Sequence, residues 1–165
     1  MTVPDLPFLQ EERIIFKLYT CEEHLRNLKK IQSEHGDILS KDARVSAEMQ
    51  MDSLISQMIG AFDSLLYRIV DKFQLSGIAI DKMDVAKVMS GLTAESKGVE
   101  VAKELQDANM IGSWYSRIKD LRNQSLHGSI FSVMPPTDVI PYFERTLINL
   151  KEFINNMVTK ETILK

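Results

Sequence analysis

A chain of 165 residues, 44% hydrophobic and 26% charged, can bury one core without disulfides or a structural metal and is too short for a second independent domain, so 1–165 reads as a single domain. Its formal net charge of −3 weighs against sequence-independent clamping of double-stranded DNA, which rests on neutralising many phosphates. The single cysteine, Cys21, cannot close an internal disulfide, and the three histidines are too scattered to make a zinc site with it, so neither metal nor cofactor is expected.

The chain begins Met1-Thr2-Val3-Pro4-Asp5, without the basic start and apolar run of a secretory signal. No apolar stretch approaches the roughly 20 residues that span a bilayer. With one cysteine, this points to a reducing, cytoplasmic location and no membrane partner. Over 9–35, Ile14, Leu18, Cys21, Leu25 and Leu28 recur in steps of three and four, which predicts an amphipathic helix stopped by His35-Gly36. Ser40 can cap the next helix, where Val45, Met49, Leu54, Ile55, Met58, Ile59, Phe62, Leu65, Leu66, Ile69 and Phe73 keep the helical period to about Gln74. This longest and most apolar helix is expected at the centre.

Gly77, Gly91 and Gly98 interrupt the pattern that follows, predicting a short helix over 82–90 and a medium one over 94–108. A further long helix over 110–127 has Ile111, Trp114, Tyr115, Ile118 and Leu121 as its stripe, with Gly128 placed to end it in a left-handed conformation. Met134-Pro135-Pro136 makes a stiff loop. The last helix is expected to open near Thr137 or Asp138, take Pro141 in its first turn and continue through Phe143, Leu147, Leu150, Ile154 and Met157. No alternating strand pattern competes. The fold class is therefore all-α: an antiparallel up-and-down bundle of four long helices with a short helical insertion.

The chemistry concentrates in Arg122-Asn123-Gln124-Ser125-Leu126-His127. Between Asn109 and Phe131 the only charged residues are Arg117, Lys119, Asp120 and Arg122, a locally positive stretch in an acidic chain. Arg122 follows Ile118 by four residues and Tyr115 by seven, which sets a permanently charged guanidinium on or beside the apolar stripe. A guanidinium partly desolvated in this way needs a carboxylate, a phosphate or an interface partner. His127 lies five residues on, about 140° round an unbroken helix, so the two side chains converge only if the helix ends or bends between them.

The hexapeptide resembles the R-x(4–6)-H motif of HEPN domains, with a polar residue directly after the arginine, and the helical architecture resembles that superfamily. The resemblance implies a metal-independent endoribonuclease whose site forms where two protomers of a homodimer meet. It also implies a role as the toxin of a toxin–antitoxin pair or as a phage-defence effector, with a nucleotidyltransferase-like antitoxin as a candidate partner. Arg122, Asn123 and His127 would be catalytic. Lys119, Ser125 and Ser129 are positioned to add RNA contacts. Some toxin-type members carry a tyrosine two residues after the histidine, and here that position is Ser129.

Blander roles stand beside these. A non-catalytic dimeric module binding nucleotide, RNA or a partner protein shares the fold and the site. Arg122 could pair with Asp52 or Asp63, His127 could cap a helix C-terminus, and Asp63 could orient Arg122 or be solvated flank. Trp114 and Tyr115 could stack on bases, although their spacing favours core, and the nine methionines read as gap-filling core.

Overall fold

The computed structural model describes residues 10–36 and 39–161, and Met1 to Asp5 lie outside them. The described residues form six α-helices and two 3-10 turns and no strand, so the chain is all-helical. The helices are α1 (Gln10–His35), α2 (Lys41–Lys72), α3 (Val85–Ala94), α4 (Val99–Asn109), α5 (Trp114–His127) and α6 (Pro136–Glu161). None of them is long and apolar enough to cross a membrane.

The ends follow from local chemistry. Gly36 takes φ +69° and donates its N–H to the Gln32 carbonyl at 2.7 Å, closing α1 where the sequence predicts. The Ser40 hydroxyl accepts from the Ala43 N–H and caps α2. The Asp84 carboxylate does the same for α3 through the Lys87 N–H at 2.8 Å, so α3 spans Val85–Ala94 rather than 82–90. At Gly98, φ is +54° and a Cβ would lie 2.9 Å from the Phe73 ring, so a side chain is excluded twice over, and α4 begins after it at Val99 rather than at 94. Pro141 sits in the second turn of α6, because that helix opens at Pro136, earlier than expected.

The core is built on α2. Its Leu54, Phe62, Leu65, Leu66 and Ile69 are fully buried, and α1, α3, α5 and α6 all pack against it. The expected period is right, but two of its members are not core: Val45 and Met49 are exposed, Met49 by 62%. Periodicity sets them beside the buried row, yet no neighbouring helix covers the first turns of α2 on that side.

Pairs of contacts give the running directions. Lys17 lies along Gly60 while His24 bonds Gln50 at 2.8 Å, so α1 and α2 are antiparallel. Lys29 pairs with Glu144 and Lys151 with Glu22, so α1 and α6 also run oppositely. These ion pairs are half-exposed and mark register more than they stabilise. Phe62 stacks on Tyr115 with ring centroids 3.8 Å apart, and Glu48 accepts the Ser129 hydroxyl, which sets α5 antiparallel to α2.

Candidate functional site

The first half of α5 is anchored and the second half is open. The Ser113 hydroxyl caps the helix by accepting from the Ser116 N–H at 3.1 Å. The 110–113 segment is thus a turn, and Ile111, expected in the helical stripe, is 100% exposed. Tyr115, Ile118 and Leu121 are buried, and Trp114, Tyr115 and Phe153 surround the fully buried Phe62 ring. Burial pushes the Tyr115 phenol well above its ordinary pKa, and Asp63 adds to the rise while Arg122 opposes it.

Beyond Leu121 the side chains turn outward. Arg122, Asn123, Leu126 and His127 are exposed, and Leu126 shows 68% of its surface. Counting about 100° per residue, Arg122 falls within about 40° of both Tyr115 and Ile118, on the flank facing α2. The sequence places it there correctly. Its desolvation is a correction: Arg122 itself is exposed, as are Asp52 and Ser56 on α2, so the guanidinium stays in water.

Among the described residues the Arg122 guanidinium makes no hydrogen bond and no ion pair. Neither Asp52 nor Asp63 approaches it closely enough, although its charge reaches Asp63. The Asp63 carboxyl touches solvent yet lies over packed protein, which lifts its pKa above the usual carboxylate value. Arg122 first and Lys17 second pull it back.

α5 continues without a break through His127, so Arg122 and His127 sit about 140° apart and do not converge within one chain. The helix does stop at Gly128, but by an extended residue with φ −175°, not the left-handed conformation expected there. The Gly128 N–H reaches the Gln124 carbonyl at 2.8 Å, and the chain leaves the helix directly after the histidine.

The three supporting residues are engaged internally. Lys119 donates to Asn109 at 3.3 Å and lies over the Tyr115 ring, 4.9 Å from its centre. The Ser125 hydroxyl donates to the Arg122 carbonyl at 3.3 Å. The Ser129 hydroxyl donates to Glu48 and accepts from the Phe131 N–H, capping the 3-10 turn Ile130–Ser132. Sequence reading missed Glu48 and Asn109, and only a polar residue at a helix edge signals either one.

Beside Ser129 an open groove of about 460 Å³ runs along the uncovered start of α2, lined by Val45, Glu48, Met49 and Asp52 and by Phe131. Arg44 lies over the Phe131 ring at 5.4 Å and closes one end. The site thus offers a guanidinium, an amide and an imidazole on a rigid helix end, next to a partly apolar face. Among the described residues, no group of three or more His, Cys, Asp or Glu side chains could hold a metal ion. Comparison with known proteins finds no matching family model, no similar curated protein and no similar solved structure.

Proposed function

We propose that the chain is a HEPN-type endoribonuclease that acts as a homodimer without metal. The observation that carries this reading is the state of Arg122: exposed, unpaired among the described residues, and accompanied on the same helix end by exposed Asn123 and His127. A structural arginine would be expected in an ion pair, and the two carboxylates proposed for that purpose leave it free.

The homodimer answers the geometry of α5. Since Arg122 and His127 splay within one chain, a composite site built from two helix ends brings two copies of each to one phosphodiester. The partly apolar face bearing Val45, Met49 and Leu126 beside them suits such a contact, with Asp52 and Asp63 available to the partner's basic groups. The four long helices α1, α2, α5 and α6 form the antiparallel up-and-down bundle in this reading, with α3 and α4 as the insertion, supported by the opposed directions of α1 with α2, α1 with α6 and α2 with α5.

The chemistry is internal transfer. One His127 removes the proton of a ribose 2′-hydroxyl, the 2′-oxygen bonds to phosphorus, and the bond to the 5′-oxygen breaks as the second His127 protonates it. The products are a cyclic phosphate and a free 5′-hydroxyl. Arg122 binds the phosphate and the charge that builds on it, and Asn123 orients the imidazole or a nucleotide. Toxin or defence roles and a nucleotidyltransferase-like antitoxin rest on the HEPN resemblance alone.

The test is RNA cleavage in excess chelator with the parent, His127→Ala and Arg122→Ala. Products from the parent alone, with all three proteins folded and dimeric, support the proposal; cleavage that persists in both variants overturns it. The splayed helix end also favours a second reading, a non-catalytic dimeric module that binds RNA, which predicts binding without products.

A further inference from the structure

The opposite flank of α5 carries features that the hexapeptide does not use. Trp114, Arg117, Leu121 and Gln124 are spaced by three or four residues and line one wall of a groove, while Tyr142, Arg145 and Asn149 on α6 line the other. Two hollows of about 340 and 220 Å³ meet at Arg117 and Tyr142. From Trp114 to Gln124 the groove follows α5 for roughly 15 Å at 1.5 Å per residue.

Arg117 and Arg145 are both exposed, and among the described residues neither guanidinium forms a hydrogen bond or an ion pair. Two guanidiniums without partners on facing walls raise the local potential of an otherwise acidic protein, and both act on the Tyr142 side chain between them. The Tyr142 hydroxyl is shut off from solvent and has no hydrogen-bond partner. The nearby Thr146 hydroxyl gives its own proton to the Tyr142 carbonyl at 2.8 Å; its oxygen is near enough to the phenol to temper the rise in pKa that burial causes, but stays outside hydrogen-bond geometry. A buried phenol without a well-formed hydrogen bond is unusual in a folded protein, because it forfeits one that water would supply.

We infer that the α5–α6 groove binds single-stranded RNA, with Arg117 and Arg145 gripping a phosphate between them and the Tyr142 hydroxyl turning to donate to it. The inference rests on the RNA reading above and adds the path of the strand. An anion alone does not account for the groove, because Asp120 sits on the same wall and repels a bare phosphate. Asp120 and Gln124 instead accept from ribose hydroxyls or base amines at the far end, and Trp114 with Ile148 presents an apolar wall to a base. Gln124 precedes His127 by three residues, so a strand leaving the groove arrives beside the imidazole flank of the helix. The RNA then meets His127 from its own chain, and Arg122 must come from the other protomer.

The experiment is fluorescence anisotropy with a short, labelled, mixed-sequence single-stranded RNA of unmodified ribose, on the full chain carrying His127→Ala throughout so that the strand is not cut. Arg117→Ala and Arg145→Ala should each weaken binding about tenfold or more and lower the salt dependence by about one phosphate contact, while Lys82→Ala, in the 3-10 turn before α3 and outside the groove lining, leaves binding unchanged. Tyr142→Phe should weaken binding several-fold with no loss of thermal stability, a combination that a merely structural phenol would not produce. Unchanged affinity in both arginine variants overturns the groove, and the chelator assay with His127→Ala then still decides the nuclease reading by itself. Absence of RNA binding by the parent overturns the groove as well, whatever the cleavage assay returns.

Discussion

The two halves of α5 share one helix and have opposite fates. From Trp114 to Leu121 the inward positions are occupied by aromatic and branched side chains gathered about Phe62 and Phe153, whereas beyond them the same angular positions carry Arg122, Ser125 and Leu126, of which Arg122 and Leu126 face water. The difference teaches that rigidity and chemistry are divided along a single element: the first half fixes the helix, and the second half is held in place without being packed. Sites built on a regular element inherit its positional precision, which suits a reaction needing aligned groups.

Removing the anchor should give the largest effect. Phe62→Ala takes away a fully buried ring that touches Trp114, Tyr115 and Phe153, and about 3–5 kcal/mol of stability should go with it in chemical denaturation. In the open half, His127→Ala should reduce RNA cleavage about a hundred- to ten-thousand-fold. Its melting temperature should stay close to the parent's, because an exposed side chain at a helix end contributes within about 0.5 kcal/mol. Equal loss of stability in the two variants would erase the contrast between the halves.

Smaller changes sharpen it. Ser113→Ala removes the α5 cap and should cost about 1 kcal/mol, a fall of about 2–4 °C in melting temperature for a chain of this size. Asp63 gives the smallest and most diagnostic signal. Its folded pKa is raised, so the folded state holds the proton more tightly, and the contribution of Asp63 to stability declines as pH rises through the carboxylate range. Asp63→Asn should therefore melt slightly higher than the parent at neutral pH, with the gap closing as pH falls. Because Arg122 is the main group opposing that rise, the gap should widen in an Arg122→Ala background; no widening would mean that the charge of Arg122 does not reach across to α2.

Much of this was visible in residue order. Gly36 and Ser40 are punctuation with a local mechanism, and both act as expected. Tyr115, Ile118 and Leu121 are buried as their spacing implies. Val45 and Met49 failed because period tells which side chains share a face, but whether a second helix arrives to cover that face depends on the whole packing arrangement; Ile111 failed because the Ser113 cap starts α5 only at Trp114 and leaves it in a turn. Arg122 shows both sides of this limit, correctly placed beside the stripe yet not desolvated. The bond from Ser129 to Glu48 spans 81 residues of chain, and no local pattern announces a pairing at that range. Lys119, free on paper, is drawn in by Asn109 and the Tyr115 ring, which only the turn before α5 brings within reach.

Cys21 lies at 0% exposure on α1, and burial drives its thiol pKa up to about 12. An alkylating reagent meets it only when α1 lifts from its neighbours, so labelling rate converts directly into the frequency of that opening. One native sulfur atom thus serves as a built-in clock for breathing of the helical core, readable by mass with no substitution at all.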